Sequence, residues 1–242
     1  MTYRPSRRSL GLAVVAGLAT TPLSALAQSP AGEGPPAVEL YRDVAGVEVE
    51  HRGRPALSLE LTAEEQALQR AGAGGNRPTY AIVPGWFEDG VIEVDVAAEL
   101  NGRGGAESRG FAGVAFRLGD DERFEAVYLR AANGALNVPP PPSPRDVRAI
   151  QYISHPDFHF SDSRAVAPGV YEKGAPIATD SWHRLRLEVS GRRLVASIDG
   201  QVVLEVHDLR LDRSGRVALW VGDGTRAHFA NLTIAPQSRS GD

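Results

Sequence analysis

The sequence predicts an all-β sandwich of two antiparallel sheets with at most one short helix. Three observations carry this. Between Ser181 and Val203, Leu185, Leu187 and Val189 alternate with Arg184, Arg186 and Glu188, and Leu194, Ala196 and Ile198 alternate again after Ser190-Gly191. Period-two patterning of this kind belongs to strands with one face buried and one face wet. Asp199-Gly200 then supplies the positive φ angles of a tight hairpin. A second block repeats the pattern, with Ile92, Val94 and Val96 set against Glu93 and Asp95, followed by strand-like runs from Gly110 to Arg117 and from Phe124 to Arg130.

Taken in order, the chain opens on Arg4, Arg7 and Arg8, an apolar run from Leu10 to Ala19, and a small-x-small cleavage sequence at Ala25-Leu26-Ala27. Residues 1–27 therefore read as an export signal peptide. Ser6-Arg7-Arg8-Ser9-Leu10 has the twin-arginine form, with general secretion as the other route, and a periplasmic or secreted location is expected. Residues 28–37 are Gly, Pro, Ala and Ser for the most part, cannot build a core, and predict a disordered leader. A single domain is expected over 38–236. Cleavage after Ala27 leaves about 215 residues, long enough to bury roughly 70% of the unfolded surface in one domain.

Strands are expected near 38–42, 46–51, 56–60, 80–84, 90–99, 111–118, 123–131, 148–153, 184–190, 193–199, 201–206, 215–221 and 227–234. Thr62-Ala63-Glu64-Glu65 is a capping-box signature ahead of a short surface helix running to Arg70. The prolines between Val138 and Pro144 require an extended loop, since proline cannot donate to a sheet ladder. Ser154 to Pro176 is expected to be a long irregular excursion, and 237–242 a polar tail.

The chain has no cysteine, which excludes disulfides, thiolate metal sites and cysteine nucleophiles. Its formal charge is −4, and loss of the three signal arginines makes it more negative by three. A mildly acidic surface argues against nucleic acid as a partner. No second apolar run approaches the roughly 20 residues of a spanning helix, so no membrane span is expected, and the protein is expected to be a monomer.

A tryptophan, Trp182, followed by an alternating run, a strand, D-G and another strand, resembles the laminin-G-like members of the concanavalin-A-like jelly-roll superfamily. The wider order is F-x-D-G-x-I-E-x-D from Phe87, G-x-A-F-R from Gly113, E-x-x-Y-L-R from Glu125, Q-Y at Gln151, W-x-x-L-R-L-x-V from Trp182 and G-x-V-A-L-W from Gly215. It is similar to exported bacterial jelly-roll domains of unassigned activity, and distantly to the 3-keto-disaccharide hydrolase domain. That family's asparagine-serine-glycine ahead of its F-F-R strand is replaced here by Phe111-Ala112-Gly113. The resemblance implies a curved sheet whose concave face is open to a ligand.

On that face the alternation nominates Glu93, Asp95, Arg117, Tyr128, Arg130 and Gln151 for ligand binding, with His155, Asp157 and His159 on a loop lining the groove. Arg117 and Arg130 could instead neutralise Glu93 and Asp95 as a structural ion network. Glu93, Asp95 and Glu99 are spaced one residue too widely for the E-x-D-x-E or E-x-D-x-x-E motif of family-16 glycoside hydrolases, in which retaining catalysis wants carboxyls about 5–5.5 Å apart. No catalytic residue and no metal site is assigned. Calcium is common in the superfamily and stays possible as a cofactor, with Asp120, Asp121 and Glu122 forming an acidic turn. Trp182 and Trp220 are expected in the core and Trp86 at a turn. The expectation is an exported non-catalytic module binding a glycan or other cell-surface ligand. A glycoside hydrolase is the alternative, and a structural or interaction domain with no small-ligand site the second alternative.

Overall fold

The computed structural model describes Met1, residues 34–73 and residues 77–237. The rest of the export signal, the leader up to residue 33 and the tail from residue 238 lie outside the described residues. Gly34 already exchanges two hydrogen bonds with Asn231, ahead of Val38.

The described residues form fourteen strands and two short α-helices. The first stretch holds β1 (Leu40–Arg42), β2 (Val44–His51), β3 (Arg54–Leu61) and α1 (Ala63–Arg70). The central block holds β4 (Tyr80–Phe87), β5 (Gly90–Leu100), β6 (Phe111–Leu118), β7 (Phe124–Arg130) and β8 (Ile150–His155). Then come α2 (Phe160–Val166), β9 (Glu172–Lys173), β10 (His183–Ser190), β11 (Arg193–Ile198), β12 (Gln201–Val206), β13 (Gly215–Val221) and β14 (Thr225–Pro236). They make the expected jelly-roll sandwich of two antiparallel seven-stranded sheets. The first sheet runs β1-β4-β13-β6-β7-β8-β9, the second β12-β11-β10-β5-β14-β3-β2.

Alternation decides which side chains enter the space between the sheets. Val83 and Phe87, Ala112, Val114 and Phe116, Val127 and Leu129, and Val217, Leu219 and Val221 point inward from the first sheet. Ile92, Val94 and Val96, Leu185, Leu187 and Val189, and Leu194, Ala196 and Ile198 meet them from the second. Each such Val, Leu, Ile or Phe side chain contributes about 1.5–3 kcal/mol through burial. The β11–β12 turn is the one the sequence predicts: Asp199 and Gly200 both have positive φ, at 50° and 83°.

Thr62 caps α1, its Oγ1 accepting the Glu65 amide at 3.2 Å. The reciprocal half of the capping box is absent from the bonds Glu65 makes, because its carboxylate turns to Gln69 and Arg77. Within the expected irregular excursion, α2 and β9 form instead. Seven residues without an apolar period leave α2 no signature, but the Asp162 carboxylate accepts the His159 amide at 2.8 Å and fixes its start.

Both core tryptophans are relocated. Trp182 is half-buried outside the core, its indole donating to the His51 carbonyl at 3.2 Å beneath the Arg54 guanidinium. Trp220 shares a strand with Val217, Leu219 and Val221 but points the other way, with Ala218.

Candidate functional site

The outward face of the first sheet carries a second apolar cluster and a groove of about 410 Å³. Strand register sets one row of outward residues side by side across five junctions: Tyr80, Trp220, Gly113, Tyr128, Gln151 and Glu172. Gly113 presents no side chain, so Trp220 and Tyr128 on the flanking strands meet over it. Their ring centroids lie 4.7 Å apart with planes tilted 39°. A Cβ on Gly113 would overlap the Val127 carbonyl oxygen of β7, so glycine alone fits. Phe111 stands edge-on to Tyr128 at 6.1 Å.

The next row toward the other end of these strands is Ala218, Ala115, Ala126 and Ile153. Three alanines keep the face low there. Beyond them Phe124 pairs with His155, their rings stacked at 4.8 Å. His155 Nδ1 lies 3.2 Å from His159 Nε2. Burial pushes the His155 imidazole down to about 4, with His159 adding to it, and burial lowers His159 as well. At neutral pH this end of the groove is therefore an uncharged pair of imidazoles, able to donate and accept.

At the opposite end Arg130 is held from every side. Its guanidinium donates to Glu172 at 3.0 Å, and to the Tyr128 hydroxyl and Gln151 Oε1 at 3.1 Å each. Gln151 passes its amide hydrogens to the Tyr152 and Tyr171 carbonyls, which fixes its orientation. Arg164 of α2 grips Glu172 through two bonds, at 2.8 and 2.6 Å. Burial opposes ionisation of Glu172, but Arg164 and Arg130 outweigh it and hold the carboxyl below its ordinary value. Burial also raises the Tyr128 phenol against the pull of Arg130, so Tyr128 serves as a neutral hydroxyl. Phe160 of α2 lies 5.0 Å from the Arg164 guanidinium and is partly exposed.

The nominated residues separate into two groups. Tyr128, Arg130 and Gln151 come together as one bonded cluster, and His155 and His159 line the groove. Asp157 pairs with Arg123 instead. Glu93 and Asp95 do face outward, but from β5 in the second sheet, on the opposite side of the molecule. There Asp95 accepts from Arg54 at 2.7 Å, Arg184 at 3.0 Å and Asn231 at 2.7 Å, while Glu93 pairs with Arg186 at 3.2 Å. Arg117 leaves the pattern because a bulge sets Phe116 and Arg117 against a single β13 residue, with φ of 54° at Arg117. Its side chain is wholly buried and donates to the Glu88, Leu211 and Gly191 carbonyls and to Asp89. The acids of the family-16 comparison thus stand on the face without the groove. Asp121 and Glu122 do not fit calcium, since both oxygens of Asp121 take Arg213 and Glu122 pairs with Arg42.

The groove also contains residues that the sequence did not nominate: Phe111, Gly113, Phe124, Trp220 and the arginines at 109, 145, 148 and 164. Trp220 was within reach, because alternation within β13 already sets it opposite Val217, Leu219 and Val221. The arginines sit on loops and on α2, where no period points them anywhere.

No family model and no curated protein matches the chain. Among solved structures, a carbohydrate-binding module from Bacillus subtilis aligns at 14% identity over 79% of this chain and 94% of its own, with a TM-score of 0.49. A Bacillus subtilis protein of unknown function with a galectin-like fold aligns at 14% identity over 79% and 87%, with a TM-score of 0.45. A glycosidic hydrolase aligns at 14% identity over 83% and 81%, with a TM-score of 0.44. These are distant likenesses to sandwich proteins, and the chemistry of the groove rests on its own residues.

Proposed function

We propose that this chain is an exported module that binds a glycan in the groove of the first sheet. The observation that carries the proposal is the Trp220–Gly113–Tyr128–Gln151 row. A half-buried indole backed by a phenol offers an apolar plate for the C–H face of a sugar ring. Beside it, Arg130, held in place by Gln151, and the neutral His155–His159 pair line the same space. A concave apolar site with a few oriented polar groups is the usual form of a small-ligand pocket. Along β7, six residues separate Arg130 from Phe124, about 20 Å of strand, so the groove has room for a short oligosaccharide.

Hydrolysis would need two carboxyl groups facing the groove. Among the described residues, the carboxylates lining it are Glu107 and Asp223; Glu107 pairs with Arg109 and Asp223 is engaged by Gln66, Gly105 and Ser108, so both are already committed to structural partners. Binding requires nothing beyond the groups present.

A glycan-array screen of the mature protein tests this, followed by Trp220→Ala and, as control, Trp86→Ala, which removes an exposed indole outside the groove. Glycans retained on the array are expected to lose about tenfold or more in affinity with Trp220→Ala, the scale of a central aromatic contact, and to keep their affinity with Trp86→Ala. Ligands insensitive to Trp220→Ala would place binding elsewhere, and an array without a ligand would reject the proposal.

A further inference from the structure

Six arginines line the groove, Arg77, Arg109, Arg130, Arg145, Arg148 and Arg164, in a chain of formal charge −4. Two of them are balanced locally. Arg77 faces Asp43 at 3.3 Å and Glu65 at 3.0 Å, and Arg109 faces Glu107 at 3.2 Å. Of the other four, three gather at the β9 end around a single carboxylate. Glu172 receives Arg130 at 3.0 Å, Arg148 at 3.3 Å and Arg164 at 2.6 Å. Arg145 is steered by Asn133 Oδ1 at 2.9 Å and the Ala132 carbonyl at 3.0 Å, and has no carboxylate partner among the described residues.

Three guanidiniums over one buried carboxylate, with Arg145 lacking a carboxylate partner among the described residues, leave an excess of positive charge, and that excess reaches the groove. The side chains of Arg148 and Arg164 are 32% and 28% exposed, whereas Glu172 is 5% exposed. Arg148 sets its Nε 3.3 Å from Glu172, and Arg145 keeps one terminal nitrogen uncommitted among the described residues. Asp146, between them in sequence, is exposed and pairs with none of the four. Holding like charges together at a partly desolvated site is unfavourable unless an anion joins them, and planar guanidinium forks match carboxylate and sulfate oxygens two at a time. Phe160, flanked by Arg164 and Arg130, adds a flat apolar face at the same place.

We propose that this end of the groove is a subsite for the acidic group, a carboxylate or a sulfate ester, of an anionic glycan, an inference that rests on the glycan reading of the groove. The neutral imidazole end then takes the uncharged part of the chain, and the arginine end sets orientation.

Calorimetric titration of the mature protein at low ionic strength with three probes tests it: tetragalacturonate, its fully methyl-esterified form, and a carrageenan tetrasaccharide bearing sulfate alone. At least one acidic probe is expected to bind about tenfold or more tightly than the ester, the scale of a charge-assisted bidentate contact. Which acidic probe binds tells carboxylate from sulfate. Arg145→Gln and Arg148→Gln are expected to remove that preference. Arg193→Gln, which deletes the same charge on the second sheet, is expected to keep it.

Equal, Trp220-dependent binding of acid and ester would overturn the subsite while leaving the glycan reading intact. So would binding of neutral array glycans together with rejection of both acidic probes. A preference that survives both groove substitutions, or that Arg193→Gln abolishes equally, would also overturn the subsite, since the chain's overall field would then suffice. Failure of every array glycan and every probe would reject both.

Discussion

Arg117 and Arg130 are both nearly inaccessible arginines on neighbouring strands, yet their bonds assign them different work. Arg117 donates to three carbonyls and to Asp89 at the bulge, and none of its nitrogens faces the groove. Truncation leaves three part-buried carbonyls and a carboxylate without their donor and a cavity where a wholly buried side chain stood, so Arg117→Ala should cost about 2–5 kcal/mol, the range for truncating a large buried side chain. Arg117→Lys should recover little, since one ammonium cannot reach acceptors that a planar fork spans. Chemical denaturation reads the loss, and a stability within about 1 kcal/mol of wild type would contradict the network. Whatever protein remains folded should bind its ligand normally. Where alternation runs undisturbed, at Tyr128, Arg130 and Gln151, the sequence places the side chains together on one face. That placement breaks at Arg117 because a bulge is invisible in the pattern.

At the level of elements, β10 is legible because its burial alternates, β6 and β7 because they are short apolar-rich runs buried on both faces, and Thr62 marks α1 because a cap has a sequence form. β9 and α2 are hidden: two residues and seven residues carry no period. The sheet to which a strand belongs is equally hidden. Ile92, Val94 and Val96 face the core as expected, but β5 lies between β10 and β14 in the second sheet, so Glu93 and Asp95 cannot join Tyr128. The close seam between β6 and β7 is where an element can be tested directly. A methyl group at Gly113 would meet the Val127 carbonyl and the Tyr128 backbone, and neither can move without opening the ladder. Gly113→Ala should therefore destabilise by about 1–3 kcal/mol, as overpacking does, and should also part Trp220 from Tyr128. Melting and ligand titration should fall together. A variant with wild-type melting and affinity would show that the strands separate freely there.

Seen whole, the molecule sets two outward faces against each other. The second sheet closes its face with pairs such as Asp95 with Arg54 and Arg184, Glu99 with Arg226 and Arg193 with Glu205, while the first leaves a groove. Its titrating imidazoles are divided between the two, and both act on stability in the same sense. Burial pushes His155 on the groove face and His228 on the opposite sheet down to about 4 from an ordinary value of 6.5. The unfolded chain therefore takes up protons on these residues before the native protein does. Stability from this source is complete above about pH 6.5 and is lost as pH falls toward about 4. Glu125 works in the opposite sense, because burial raises its carboxyl despite bonds from Tyr152 and the Arg210 and Leu211 amides, so it favours the fold as pH falls through the raised carboxylate range. His155→Gln combined with His228→Gln isolates the imidazoles from that compensation. The wild-type melting temperature should decline from pH 7 to pH 5, and the decline should be shallower in the double variant while Glu125 acts equally in both. Parallel curves would show that buried imidazoles do not set the acid limit of this fold.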